Sequence, residues 1–489
     1  MKKIICLALA CVMLLGLCAC GEGGGKTDPN ALLAGFSRKD CIPDDPLVHI
    51  AGGVSKDDPA TDGLLDNLAI TCIALKQNDQ TYLIFTCDIV DITDFYLNCE
   101  AIICKSTGVP ASNIIFNATH THSAPTLKPN DTALPGRNNY EIKFVNTANE
   151  VALEAIEDMS EVSGISYGSI MTENMVRVRH YLMNDGSTYG NGHGTSEGLA
   201  SGYKEHLYAA DEETQVIRIS LKSEEKKDIV MFNLGAHATI VSGTNTSALS
   251  ADFPFPAREY VEENGGVRAA YFIAAAGDQT PGSKIAGEIK NKNHFDMGAA
   301  LGEYVVTCLE NMTDSASMDI SYYGETYVAN RMKEGIEDTD RVAKANEIVA
   351  LKSQYGASST QVKEKCKEYG FASHFEASGL VTRSKAPDTG SFPIGAMLLG
   401  DVGIVFFAGE MFGSQGRQLK DNSPTPMTFV VTCSEDDQGY FPNAIAKEEG
   451  FYEYGQTKYA MGTGEAVADR YCEILDHLKN GTELPAQNP

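Results

Sequence analysis

The stretch Asn117-Ala-Thr-His-Thr-His-Ser-Ala-Pro125 overlaps the end of the apolar run Asn113–Ala118. That run is β-branched and aromatic at Ile114, Ile115 and Phe116, so it reads as a strand. Beyond it stand two of the ten histidines, His120 and His122. In an extended chain, residues i and i+2 project to the same side, so both imidazoles face one point. Neutral imidazole is the commonest protein ligand for zinc. Thr119, Thr121 and Ser123 add hydroxyls around the pair, and Pro125 ends the strand. Taken alone, the pair fits a metal site or two hydrogen-bonded surface histidines.

The same arrangement recurs along the chain. Asp88 lies near the end of the strand run Tyr82–Val90, and His237 follows Ile229–Leu234. Gly277-Asp278-Gln279-Thr280 follows Ala269–Ala275, Glu410 follows Ile404–Ala408, and Asp436 to Tyr440 follows Thr428–Thr432. Further strand runs are Ala69–Leu75, Gln215–Leu221 and Met397–Leu399. Helical patterns cover Tyr140–Met159, Pro256–Glu263, Phe295–Asn311, Thr339–Tyr355, Thr360–Tyr369 and Gly464–Leu478. Interleaving of this kind predicts an α/β fold, with mixed β-sheets and flanking helices in a single large catalytic domain over about 40–489. In such folds ligands bind beyond the carboxyl ends of the strands. The charged, helical stretch Arg331–Tyr369 reads as a surface insertion, a lid-like arm.

A catalytic zinc needs about three protein ligands and a water. His237, within Asn233-Leu-Gly-Ala-His-Ala-Thr239, is the best third imidazole, and as a lone residue it equally fits a satisfied core histidine. Glu410 ends an apolar run, where a bare charge is costly, so it should be paired, metal-bound or catalytic. It also fits a helix N-terminal carboxylate facing the dipole. Gly409 and Gly413 allow close backbone approach to a ligand.

Together these segments resemble the neutral/alkaline (non-lysosomal) ceramidases. Asn117–Pro125 is similar to that family's Ala-Thr-His-Thr-His-Ser-Gly-Pro, and Ala51-Gly-Gly53 through Asp62–Asp66 and Ala69–Leu75 to its entry segment. Phe85–Val90 resembles the following strand with a buried Asp, Ala276–Pro281 the Gly-Asp-Val-Ser-Pro loop, and Gly409-Glu410 a Pro-Gly-Glu turn. Tyr440 and Tyr452 match two family tyrosines at the same spacing of twelve residues. The ordered set spans about residues 40–480. The resemblance implies one zinc ion per chain, held by His120, His237, Glu410 and Tyr440. It makes His122 a neighbouring imidazole that works on the substrate, and Tyr452 a donor to the oxyanion. Arg179, or else Arg177, takes the place of a site arginine, although the Asn-Arg-Ser-Pro wording is absent. Thr280 stands where the family has a Ser. The implied reaction is hydrolysis of an N-acyl linkage by a zinc-bound hydroxide, either ceramide to sphingosine and fatty acid or a related lipid or N-acyl amide substrate. A zinc esterase or phosphatase, or a lipid-anchored binding protein of the same fold without turnover, remain as alternatives. The family's C-terminal immunoglobulin-like domain is expected to be absent.

The chain has 489 residues, 43% hydrophobic and 21% charged, with a net charge of -27. That is a globular composition, and its acidity argues against nucleic-acid partners. Lys2 and Lys3 precede the apolar run Ile4–Leu17, which is short for a membrane span. Leu17-Cys-Ala-Cys20 followed by Gly21 resembles a bacterial lipobox. The expectation is a signal peptide over 1–19, lipidation of Cys20, and a flexible tether over 20–39. The domain is then extracytoplasmic and anchored to the bacterial cell membrane, with no obligate protein partner inferred. Of thirteen cysteines four lie in this leader, and the other nine form no Cys-x-x-Cys motif and indicate no pairing.

Overall fold

In the strand Ala69–Gln77, Ile70, Cys72 and Ala74 point to one face, and Ile73 and Leu75 to the other. Both faces are apolar, so both must be covered. The computed structural model describes residues 30–45, 48–50, 62–93, 96–127, 135–190, 202–244, 247–281, 293–357 and 359–487. It meets that demand with four layers. One sheet runs in the order Arg268–Ile273, Ile229–Leu234, Glu213–Leu221, Ser160–Met171, Leu33–Asp40, Ala69–Gln77, Gln80–Cys87, Ile114–Ala118. It is mixed: the pairs at its two ends are parallel and the pairs between them antiparallel. The second sheet runs Ile320–Asn330, Thr389–Leu399, Val402–Phe407, Thr428–Val431. The two pack face to face through Ile73, Ile84, Ile217 and Phe272 on one side and Met397, Ile404, Phe406 and Phe429 on the other. Helices Pro135–Glu157, Pro254–Gly265 and His294–Leu309 cover the first sheet, and Thr463–Asn480 covers the second.

The expected mixed α/β architecture is the observed one, with particular revisions. Strand Gln80–Cys87 stops before Asp88, and Thr389–Leu399 is far longer than Met397–Leu399. The expected tether over 20–39 is too long, because Leu33–Asp40 is an interior strand between Ala69–Gln77 and Ser160–Met171. Its polar end is held by ion pairs, Arg38 with Glu262 and Lys39 with Glu154. The signal segment, Cys20 and the entry residues 51–61 lie outside the described residues. The arm extends beyond Tyr369: helices Thr339–Tyr355, Thr360–Tyr369 and His374–Lys385 share their own small core. Among the described residues, no helix is long and apolar enough to cross a membrane, and each of the nine described cysteines has a free thiol.

Candidate metal centre

His120 follows the strand Ile114–Ala118 with φ 61, in the left-handed region that non-glycine residues seldom adopt. The spacing argument assumed an extended chain here, and that is wrong: the backbone turns at His120. The turn is over-determined from several sides. His120 Nδ1 lies 2.5 Å from the Val90 carbonyl oxygen and 3.6 Å from Cys433 Sγ. Thr119 Oγ1 donates to Asp88, and Thr121 Oγ1 donates to the Ser250 carbonyl. Cys433 and Glu435 nearby also have positive φ, so backbone strain gathers at this end of the sheets. The turn brings His122 Nε2 to 3.3 Å from His120 Nε2.

His237 emerges from Ile229–Leu234, with Nδ1 2.9 Å from the Ala276 carbonyl and 3.0 Å from that of Gln279. A carbonyl only accepts, so Nδ1 of both His120 and His237 carries a proton, and in the neutral rings both Nε2 atoms present lone pairs. They converge on Glu410 Oε2, at 3.4 Å from His120 and 3.0 Å from His237. With both imidazoles neutral, three acceptor atoms meet there, and Glu410 Oε2 is buried without a hydrogen bond. Donor atoms about 2.0–2.1 Å from a tetrahedral ion sit about 3.3 Å apart, so the spacing fits a metal ion. The ligand atoms of His120, His122 and His237 lie within 4.8 Å of one another.

Electrostatics agree. Burial, then Arg179, pushes His237 down to about 4, leaving a neutral imidazole. Burial works against charge on both His120 and Glu410, yet Cys433 and Glu410 raise His120, and His120 with His237 holds Glu410 well below the carboxylate range. The pocket demands a positive charge, which a proton or a cation can supply.

Glu410 does not cap the helix that follows. The N-terminus of Gly413–Asn422 is met by Asp278, whose Oδ1 accepts the Gly413 N–H at 2.8 Å. Glu410 lies instead on the rung opposite Tyr440 in a short parallel pair, which sets both on one face. Arg179 lies 5.5 Å from the Tyr440 ring centroid, and Tyr452 lies 5.6 Å from it. Arg179 Nη1 is 3.3 Å from His237 Nε2, so Arg179, rather than Arg177, is the arginine at the centre. Arg177 is buried on the rung opposite Thr280. Among the described residues no hydrogen bond joins the Thr280 hydroxyl to the imidazoles. On its other side Tyr452 meets Phe375 of the arm at 5.2 Å. A cavity of about 430 Å³ lies there, lined by Arg341, Phe375, Leu380, Arg383, Tyr452 and Tyr454 among others.

Sequence reasoning missed Glu453, His180 and Tyr208. Glu453 is buried between Arg179 Nε at 2.7 Å and His180 Nε2 at 3.0 Å. Burial pushes its carboxyl up, but Arg179 and His180 outweigh that and bring it down to about 2. Its only sequence signal was its place after Tyr452, and His180 hid behind two arginines.

Gly277 and Gly409 stand where backbones pass closely, and Gly413, expected with Gly409 to admit a ligand, packs against the Gln279 side chain. A Cβ on Gly277 would sit 2.6 Å from the Glu410 carbonyl oxygen, and Gly409 has φ 136. Gly277→Ala must therefore displace the Glu410 strand. We expect it to weaken zinc binding about 10- to 100-fold in a chelator competition titration, as loss of ligand support does elsewhere.

The fold matches the crystal structure of neutral ceramidase from Pseudomonas aeruginosa, at 14% identity over 94% of this chain and 77% of that one, with a TM-score of 0.66. The chain has the neutral ceramidase fold. A structure described as ceramidase complexed with C2 matches at 13% identity with the same coverage and a TM-score of 0.67. No protein-family model and no curated protein matches the sequence. At such identity the likeness establishes the architecture, and the site must be argued from its own atoms.

Proposed function

We propose that this chain is a zinc-dependent amide hydrolase that cleaves an N-acyl linkage, in ceramide or a related N-acyl amide. The observation that carries this reading is the meeting of two imidazole lone pairs and an orphaned carboxylate oxygen at tetrahedral spacing. The neutral ceramidase fold supports the amide class. His120, His237 and Glu410 would hold the metal, with Tyr440 on the rung opposite Glu410 as the fourth ligand. When bound, zinc supplies an acidified water as nucleophile and polarises the carbonyl.

The protein does the rest. His122 is half-buried, beside two imidazoles that are buried. It carries the proton to the leaving amine, the general acid–base role that imidazoles most often fill. Arg179 and Tyr452 donate to the carbonyl oxygen as negative charge develops on it. Thr280 rests on the ceramidase resemblance alone, as a positioning hydroxyl. Lipidation at Cys20 would hold the domain at a membrane surface, close to lipid substrates.

The test is elemental analysis of the purified protein, with assays on short-chain fluorescent ceramides and simpler N-acyl amides. We expect one zinc per chain and amide cleavage that chelation removes and zinc restores. Folded protein that takes up no zinc would overturn the metal centre. Full zinc with ester or phosphate cleavage but no amide cleavage would overturn the amide assignment. Tyr452→Phe should lower kcat roughly 10²-fold, as loss of one oxyanion donor does, with zinc content unchanged.

A further inference from the structure

A hydrogen-bonded line leads away from the metal centre into the protein. Arg179 Nε donates to Glu453 Oε1 at 2.7 Å, and Glu453 Oε2 lies 3.0 Å from His180 Nε2. His180 Nδ1 lies 2.9 Å from the Tyr208 hydroxyl, and that hydroxyl lies 3.0 Å from Asp278 Oδ2. Asp278 Oδ1 accepts the Gly413 N–H at 2.8 Å. Glu453, His180 and Asp278 are all 0% exposed.

Counting protons shows what the line needs. From Glu453 to Asp278 there are three links. A neutral imidazole and a phenol bring two protons, so the third link requires one more, on His180 or on Asp278. Without it, two lone pairs face each other in a dry interior, and a buried hydrogen bond goes unmade. With that proton, on either group, the line and the Arg179 guanidinium balance in charge. Burial of so many ionisable groups is costly, and arranged this way each is paired.

The line ends on Arg179. Glu453 holds its Nε, the Gly277 carbonyl accepts from Nη2 at 2.8 Å, and these two fix the guanidinium plane so that Nη1 faces His237. We propose that Glu453, held in turn by His180, Tyr208 and Asp278, is a positioning residue that orients Arg179 at the metal centre. The effect on turnover rests on the amide hydrolase reading given above; the orientation itself does not.

Glu453→Gln tests this with the shape preserved. The new amide N–H donates to His180 Nε2, His180 Nδ1–H donates to Tyr208, and Tyr208 donates to Asp278, so the line closes without an added proton. We expect kcat for an N-acyl amide to fall about 10- to 100-fold, with zinc content unchanged. In an Arg179→Ala background the same change should cause no further loss, because Glu453 acts only through Arg179. A readout independent of turnover is the Arg179 Nε–H NMR signal, assigned by its loss in Arg179→Lys. It should be resolved and slow to exchange in the parent protein, metal-free or zinc-loaded, and faster to exchange in Glu453→Gln, where a neutral amide oxygen replaces the charged acceptor. Tyr208→Phe cuts the line further from Arg179 and keeps the test alive if Glu453→Gln does not fold; its loss of kcat should be smaller and equally absent beside Arg179→Ala. Equal losses in both backgrounds, or an Nε–H signal indifferent to Glu453, would overturn the proposal. If the parent protein cleaves no amide, the hydrolase reading fails and the NMR signal alone decides the positioning.

Discussion

Glu410→Ala is expected to strip the centre of metal and activity together. His120 and His237 have backbone-anchored Nδ1 atoms, and Glu410 is the carboxylate that their Nε2 atoms share. Without it, a divalent ion would sit beside the Arg179 guanidinium with no carboxylate among its own ligands. The consequence for rate is large, because a bound zinc brings the pKa of water from 15.7 to about 7, a gain of roughly eight orders of magnitude in nucleophile supply at neutral pH. Elemental analysis and an amide assay on the same sample read both effects. The companion variant His122→Ala should keep its zinc and lose turnover. If Glu410→Ala instead retains a full equivalent of zinc and His122→Ala does not, the donor set is His120, His122 and His237, and His122 is no proton carrier.

The largest effect on stability belongs to Asp88→Ala. The Asp88 carboxylate accepts Arg258 Nη1 at 2.9 Å and Nη2 at 2.7 Å, the Ala69 N–H at 2.8 Å and the Thr119 hydroxyl at 3.2 Å. Neither side chain of the pair is more than 2% exposed. Truncation leaves a guanidinium buried without its anion, which costs about 3–5 kcal/mol. Urea unfolding should show a loss of that size, and Asp88→Ala combined with Arg258→Met should recover much of it, since the penalty lies in the stranded charge. A single-variant loss below about 1 kcal/mol, the range of an exposed pair, would show that water reaches the pair. Thr119 precedes His120, so the brace also carries one wall of the metal centre.

Much of the centre was legible because its parts share one address. His120, His237 and Glu410 each follow a strong apolar strand, and a polar residue after such a run stands where α/β folds bind ligands. The segment between His120 and His122 was legible in content and misread in shape, since φ 61 at His120 is imposed by Val90, Cys433 and Asp88, none of them local to it in sequence. Strand Leu33–Asp40 was misread as tether because Ser37-Arg-Lys-Asp40 looks solvated, and its partners, Glu154 and Glu262, come from helices far along the chain. Glu453 and His180 are 273 residues apart, and nothing in either neighbourhood announces the other. Periodicity reports what a segment buries; it does not report which distant charge neutralises it.

The edges of His120 and His237 that face Glu410 are selected by carbonyl oxygens of Val90, Ala276 and Gln279. Those atoms belong to the main chain, so no codon change at these three positions deletes them. Mutation can rewrite the neighbouring side chains through long divergence, provided the path of the backbone is kept, and the imidazoles still present the same nitrogen. A centre built in this manner is inherited as a trace of the chain rather than as a string of letters, and such inheritance can outlast detectable similarity between sequences.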